Sequence, residues 1–392
     1  MKLQKIISAV LSALLVIVFL LYIFMAINIP QITCWLLLHT IGRVHPRIAR
    51  FIKVLNLSVS GLGFYWFVFF IEVYAGCELE FSGDEIKEKE SALVMCNHVS
   101  NVDFLVLACI AYRKGLLGFL KFLAKKDLLI IPFLGFPGLI LGKQIVLDRN
   151  WQKDQQSIAD SVNSVMKDNI PSYVLIFPEG TRITQNNITK SNEFARERKL
   201  RELNQVVLPR VKGLGMMIKA ITTQQENANI DLSVEKDNGI KYIYDVTIGY
   251  PPTREYIESC RKEAVNDKKV ASSIVNKAFP VLGAPELLMK RLKGTKICVN
   301  IKKIPINTVP HHDEKQFNEW CYERFYRKED MLSQLQTDAK ENLKKLESKN
   351  STSTSTNDLN PITVYPQQEL SKLYSFRNEK ILNEPFRFVP WW

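Results

Sequence analysis

Apolar residues crowd the start of this chain. Positions 6–29 (IISAVLSALLVIVFLLYIFMAINI) run for 24 residues without a charge. That is long enough for a helix to cross a hydrocarbon core and too long for the apolar region of an ordinary signal peptide. No small-residue cleavage site comes after it; Pro30 and a second apolar piece, ITCWLLL, stand there instead. A further stretch, 57–75 (LSVSGLGFYWFVFFIEVYA), is apolar and aromatic but interrupted by Gly61, Gly63 and Glu72. Two readings fit it: a buried core helix, or a membrane-associated helix that spans or lies in one leaflet. Beside the first stretch, the membrane reading is preferred, and 1–76 is expected to form N-terminal membrane-anchoring helices.

From Cys77 the pattern changes. Short apolar runs at 91–96 (SALVMC), 144–148 (QIVLD), 173–177 (YVLIF), 242–248 (YIYDVTI) and 296–304 (KICVNIKKI) read as strands. Helical stretches at 102–112, 154–167 and 194–203 lie between them. That alternation predicts an α/β fold, a layered, largely parallel or mixed sheet flanked by helices, over 77–335. A charged helix near 313–349 leads into STSTSTNDLN, a polar low-complexity linker. The remaining tail ends in FRFVPWW, too short and polar to span; an interfacial contact and a disordered end both fit it. Residues 336–392 therefore read as helix end, linker and tail.

Composition narrows the partners. The 392 residues are 46% hydrophobic and 23% charged, which excludes a wholly disordered chain. A net charge of +12 favours polyanions, and the apolar N-terminus selects a membrane surface over nucleic acid. Seven scattered cysteines with no C-x-x-C pair fit a reducing compartment rather than a disulfide framework or zinc site. Lys2 and Lys5 precede the first apolar stretch, whereas Arg43, Arg47, Arg50 and Lys53 come after it. The positive-inside rule then places the segment after the first helix in the cytoplasm.

The sequence holds no G-x-S-x-G, G-x-x-x-x-G-K-[ST], G-x-G-x-x-G or H-E-x-x-H motif. Of its five histidines, His98 lies where a strand ends, in CNHVSNVDF, with Asp103 five residues on at the start of a helix. A strand-to-helix corner can fold that carboxylate onto the imidazole, fix its tautomer and leave the other ring nitrogen as a base. A structural histidine bonded to a helix start fits the spacing equally. A second loop, Pro178-Glu179-Gly180-Thr181-Arg182, comes directly after YVLIF. Gly180 permits close approach to a ligand, Arg182 offers a planar fork for phosphate, and Glu179 can accept from hydroxyls. Alone, this loop reads as an ordinary turn with a surface Glu–Arg pair.

Together the two loops carry a family resemblance. NHVSNVD resembles the N-H-x-x-x-x-D signature of the glycerolipid acyltransferases, which include the 1-acylglycerol-3-phosphate (lysophosphatidate) acyltransferases. FPEGTR resembles their third motif, GKQIVLDRN the second, with its arginine at Arg149, and VVLPRVKG the fourth, with its proline at Pro209. All four stand in family order across about 115 residues. SNEFARERKL, YDVTIGYP and EWCYERFYRKEDML resemble the eukaryotic branch with lysocardiolipin and lysophosphatidylinositol acyltransferases.

The resemblance implies an O-acyltransferase. His98 would be the base that deprotonates the free glycerol hydroxyl of a lysophospholipid, and Asp103 would orient it. The hydroxyl would attack the thioester carbon of acyl-CoA, a co-substrate; no other cofactor and no metal is implied. Glu179, Gly180, Thr181 and Arg182 would hold the acceptor headgroup, with Arg149 near its phosphate and Pro209 in the fourth motif. Direct transfer needs no acyl-enzyme, in accord with the missing Ser or Cys motif. Residues 118–143 are apolar with Lys121, Lys125 and Lys126 in one cluster. They read as an acyl groove with cations for phosphates, or as a core strand and buried helix with snorkelling lysines. The fourth motif reads LPR rather than the more hydrophobic bacterial form, and no extra C-terminal hydrophobic helices appear. The acceptor is expected to be lysophosphatidate, with lysophosphatidylinositol or lysocardiolipin as alternatives. A CoA-independent transacylase and a silent lipid-binding protein are the competing classes. The expected location is the endoplasmic reticulum membrane with a cytosolic catalytic domain, or else the mitochondrial outer membrane or a lipid droplet.

Overall fold

The computed structural model describes residues 14, 18, 21–130, 134–148, 150–227, 239–251 and 296–350. Residues 6–20 of the first apolar stretch other than 14 and 18, residues 131–133 and the 351–392 tail lie outside the described residues, as does Arg149.

Among the described residues, seven strands form one sheet: β1 Glu78–Gly83, β2 Ala92–Cys96, β3 Leu120–Lys125, β4 Ile145–Leu147, β5 Tyr173–Ile176, β6 Tyr242–Gly249 and β7 Lys296–Pro305. Their spatial order is β1-β7-β6-β2-β5-β3-β4. β6, β2, β5, β3 and β4 run parallel; β7 is antiparallel to β6 and parallel to β1. The central strands ALVMC and YVLI are buried throughout, as a parallel strand covered on both faces must be. This is the mixed α/β sheet flanked by helices that the alternation predicts.

Helices α1 Ile29–His39, α2 Pro46–Val68, α3 Asp103–Arg113, α4 Trp151–Asp168, α5 Gln185–Arg198, α6 Val211–Asn227 and α7 Glu314–Asn350 complete the described fold. α7 runs unbroken through residue 335. The helix expected at 194–203 is displaced toward the N-terminus. Thr184 caps α5 by accepting from the Asn187 N–H at 3.2 Å, and Lys199, left-handed with φ 55°, ends it. Strand β1 went unread because its alternation, Glu-Leu-Glu-Phe-Ser, belongs to a half-exposed edge rather than to an apolar run.

α2 continues through a wider last turn to Tyr74, and Pro46–Tyr74 is long and apolar enough to cross a membrane, with 28% of its most apolar window buried. It is also docked on the domain. Gly61 meets Gly118 in the turn Leu117–Phe119, and a Cβ on Gly118 would stand 2.5 Å from the Leu57 carbonyl oxygen, so backbone packs on backbone there. Glu72, an interruption in the apolar pattern, pairs through both carboxylate oxygens with Arg113 at the end of α3.

Lys121, Lys125 and Lys126 do not form one cluster. Lys121, at the start of β3, is 2% exposed and donates to the Gly142 carbonyl at 2.7 Å. Its burial, with Lys143 nearby, pushes its pKa down to about 7. Lys125 and Lys126 stand exposed at the other end of the strand, Lys126 paired with Asp148 at 2.7 Å. A strand rises about 3.3 Å per residue, so four residues along β3 set the Cα atoms of Lys121 and Lys125 about 13 Å apart.

Candidate active site

The carboxyl ends of parallel strands are where open α/β sheets place their ligand sites. Here β2 delivers His98 and its neighbour β5 delivers Glu179–Arg182 to that end.

The His98 corner is built locally. Ser100 Oγ accepts from the Val102 N–H at 3.2 Å, and Asp103 Oδ2 reaches back to the Ser100 N–H at 2.8 Å. The bond from the Ser100 N–H turns the carboxylate back toward the strand end. The same Oδ2 accepts from His98 Nδ1 at 2.9 Å. A carboxylate on Nδ1 leaves Nε2 with its lone pair, and the imidazole side chain is 21% exposed while Asp103 is fully buried. Phe177 stacks on the ring, centroids 4.2 Å apart and planes at 22°. Before it, the Asn97 side chain donates to the Ile248 carbonyl and accepts the Ile248 N–H, which locks the ends of β2 and β6.

Two features of this corner escape local sequence reasoning. Tyr250, just past β6, donates to Asp103 Oδ1 at 2.6 Å across 147 residues of chain. Cys96, beside the motif, is fully buried, and burial raises its thiol pKa well above the usual range, so it stays a protonated thiol.

The β5–α5 loop wraps the same histidine. Glu179 Oε1 accepts the His98 N–H at 3.0 Å, and the Ile183 N–H bonds the His98 carbonyl at 2.9 Å. Glu179 is 1% exposed, and its Oε2 has no hydrogen-bond partner among the described residues. Burial raises its carboxyl pKa well above the ordinary value, partly offset by the His98 N–H and reinforced by Asp103. Thr181 and the Arg182 carbonyl both accept from the Asn187 amide, at 2.9 and 2.8 Å. The Arg182 side chain is exposed.

The fourth motif lies against this loop. The Arg210 N–H bonds the Pro178 carbonyl at 2.7 Å, and Pro209 is buried. Gly180 has φ +66°, and a Cβ there would meet Arg210 Cδ at 3.2 Å and Nε at 3.4 Å. The exposed group of the LPR motif is thus Arg210, laid over Gly180, with Pro209 behind it. α7 holds the approach to this motif: Glu329, 4% exposed, accepts the N–H groups of Asn204, Gln205 and Val206 at 2.9, 2.7 and 3.2 Å. The structure therefore brings His98, Asp103, Glu179, Gly180, Thr181, Arg182 and Pro209 to one end of the sheet.

A family model described as Acyltransferase matches residues 78–250, and one described as Acyltransferase C-terminus matches 287–362. A probable 1-acyl-sn-glycerol-3-phosphate acyltransferase 5 of Arabidopsis thaliana is 26% identical over 253 residues, 64% of this chain and 56% of that protein. Lysophosphatidylinositol acyltransferase 10 of Caenorhabditis elegans is 27% identical over 273 residues, 68% of this chain and 59% of that one. The matched region is thus little more than half the length of either relative. Among solved structures, the LPA acyltransferase PlsC of Thermotoga maritima covers 83% of this chain and 97% of its own at 15% identity and a TM-score of 0.40. By these two family models, which together match more than half of its residues, the chain belongs to the acyltransferase family, the one that its four motifs resemble.

Proposed function

We propose that this protein transfers a fatty acyl chain from acyl-CoA to the free glycerol hydroxyl of a lysophospholipid, first of all lysophosphatidate, giving phosphatidate. The observation that carries the reading is the His98–Asp103 pair with Nε2 open, roofed by the loop that bears Arg182. His98 Nε2 takes the hydroxyl proton as the oxygen attacks the thioester carbonyl carbon. The tetrahedral adduct expels coenzyme A as thiolate, which takes the proton from the imidazolium. Positioned base catalysis contributes about 10²–10⁴ in rate, and alignment of the two substrates supplies further acceleration. The exposed guanidinium of Arg182 suits the acceptor phosphate. The buried, protonated Cys96 supports direct transfer, since it is no ready thiolate to form an acyl-enzyme beside His98.

The bilayer is part of the same reading. Of the exposed large apolar side chains among the described residues, all but Ile130, Ile140 and Phe194 lie between Leu14 and Val73. Apolar surface gathered this way marks a membrane contact. α1 and α2 would sit in the cytoplasmic leaflet of the endoplasmic reticulum and deliver lysophospholipid to a cytosolic site. Asn187-Ile188-Thr189 is a poor reporter of topology, because the Asn187 amide is tied to Thr181 and Arg182. Protease access to the Ser/Thr-rich linker in sealed microsomes tests the orientation instead; protection of that linker would place the domain in the lumen. For the reaction, a panel of lysophospholipids is offered with acyl-CoA. Thiol release strongest with lysophosphatidate supports the assignment; preference for lysophosphatidylinositol or lysocardiolipin moves it to a remodelling acyltransferase, and transfer between phospholipids without acyl-CoA to a transacylase.

A further inference from the structure

We propose that Tyr250 is a positioning residue of the catalytic pair, whose phenol holds Asp103 in place and sets how readily the His98 imidazole takes a proton. The proposal rests on His98 being the base of the reaction above, but its geometry stands by itself. Asp103 is fully buried and its two oxygens are used differently. Oδ2 serves the Ser100 N–H and His98 Nδ1, both in its own corner, whereas Oδ1 takes the Tyr250 hydroxyl at 2.6 Å. A buried carboxylate oxygen left without a donor is costly, so the phenol is needed wherever Asp103 is ionised.

The phenol is also well aimed. Pro251 restricts the backbone of Tyr250 to extended conformations, and the two-way Asn97–Ile248 bond fixes the strand end two residues earlier. From α7, Lys328, 1% exposed, donates to the Val246 carbonyl and pairs with Asp245 at 2.5 Å, holding β6 from beneath. Tyr250 is fully buried; burial, then Asp103, raises its pKa well above the ordinary phenol value, so it remains a donor throughout the working range.

Among the described residues, Glu179, Cys96, Cys77 and Lys328 also lie near the pair and its phenol. Glu179 from the β5–α5 loop and Cys96 from β2 are both buried and both pushed toward their neutral forms. Lys328 of α7 is offset by its partner Asp245. Tyr250, His98 and the Ser100 N–H are then the groups bonded to the Asp103 carboxylate. A hydrogen bond from the phenol draws electron density from the carboxylate and weakens its hold on an imidazolium. Without the hydroxyl, Asp103 becomes the stronger partner of the cation, and His98 stays protonated to higher pH.

The test reads His98 itself. In the full chain reconstituted in bilayer nanodiscs, the rate of ethoxyformylation of His98 by diethylpyrocarbonate, read on its peptide by mass spectrometry, is measured against pH. Tyr250→Phe is expected to raise the midpoint by about 0.5–1 pH unit, the size of one net hydrogen bond. Site-specific 3-fluorotyrosine at position 250, nearly isosteric and a stronger donor, is expected to lower it. Opposite shifts in the two proteins support the proposal. An unchanged midpoint in both, or a downward shift in Tyr250→Phe, overturns it. If the phenylalanine variant fails to fold, the fluorotyrosine protein decides by itself. The labelling requires no turnover, so a protein with this titration and no acyl transfer would refute the proposed reaction and leave Tyr250 standing.

Discussion

The β2–α3 corner and the β5–α5 loop meet at one end of the sheet and bond to each other, yet they differ in what they leave open. In the corner both oxygens of Asp103 are engaged, His98 is stacked on Phe177, and only Nε2 faces outward. In the loop Glu179 keeps a buried oxygen without a partner among the described residues, and Arg182 and Arg210 extend into solvent. The base is assembled before any substrate arrives, whereas recognition waits for a ligand to complete it. That division suits the proposed transferase: preorganised groups lower the barrier without reorganising, and the exposed guanidinium groups of Arg182 and Arg210 would meet a phosphate on binding.

Breaking the corner should have the largest effect. His98→Ala is expected to lower kcat by about 10²–10⁴ while the circular dichroism spectrum and unfolding midpoint stay near wild type, because the ring is partly exposed. Asp103→Asn is expected to lose more than about tenfold in kcat and, with its buried bonds disturbed, about 1–3 kcal/mol of stability in a denaturant titration. Near-normal turnover in the first variant would remove the general base from the account.

Breaking the loop should read out in binding instead. Arg182→Lys keeps the charge but loses the fork, so the KM for lysophospholipid should rise about tenfold, roughly one good charge-assisted bond, with the KM for acyl-CoA unchanged. An effect confined to acyl-CoA would move Arg182 to the donor side. Glu329→Ala should raise the same KM more modestly, since it frees the backbone of 204–206 that leads into Arg210, and a fall in kcat alone would contradict that.

The smallest effect sharpens the comparison through pH. The folded carboxyl of Glu179 titrates well above its ordinary 4.5, so the unfolded chain releases that proton first. Its contribution to stability is then full below about 4.5 and is lost as pH rises toward the folded value. Glu179→Gln cannot ionise and should gain stability relative to wild type across that window, measured by thermal unfolding at stepped pH. A constant difference would show that Glu179 is already ionised in the fold.

Legibility in the sequence divides along the same line. The central strands were readable because their apolar runs are buried on both faces, and the His98–Asp103 link because the corner that joins them spans five residues. The displaced start of α5 turned on one side chain, Thr184, competing with an apolar signal that began at Phe194. Tyr250 and Glu329 could not be read, because their partners lie 147 and about 125 residues away and only the folded sheet brings them together. Arg210 stood in view inside VVLPRVKG, but nothing in that string tells which of Pro209 and Arg210 is buried. The cluster expected of Lys121, Lys125 and Lys126 dissolved for the converse reason: near neighbours in sequence were carried to opposite ends of one strand.

The central claim, a His98-dependent transfer from acyl-CoA to a lysophospholipid hydroxyl, is tested most directly by monitoring free thiol in membranes that contain the purified full chain. With acyl-CoA and lysophosphatidate both present, thiol and phosphatidate should appear in equal amounts, and neither should appear beyond background when the acceptor is omitted or when His98 is alanine. Equal thiol release by the His98→Ala protein, or thiol release with no acylated lipid formed, would contradict the account.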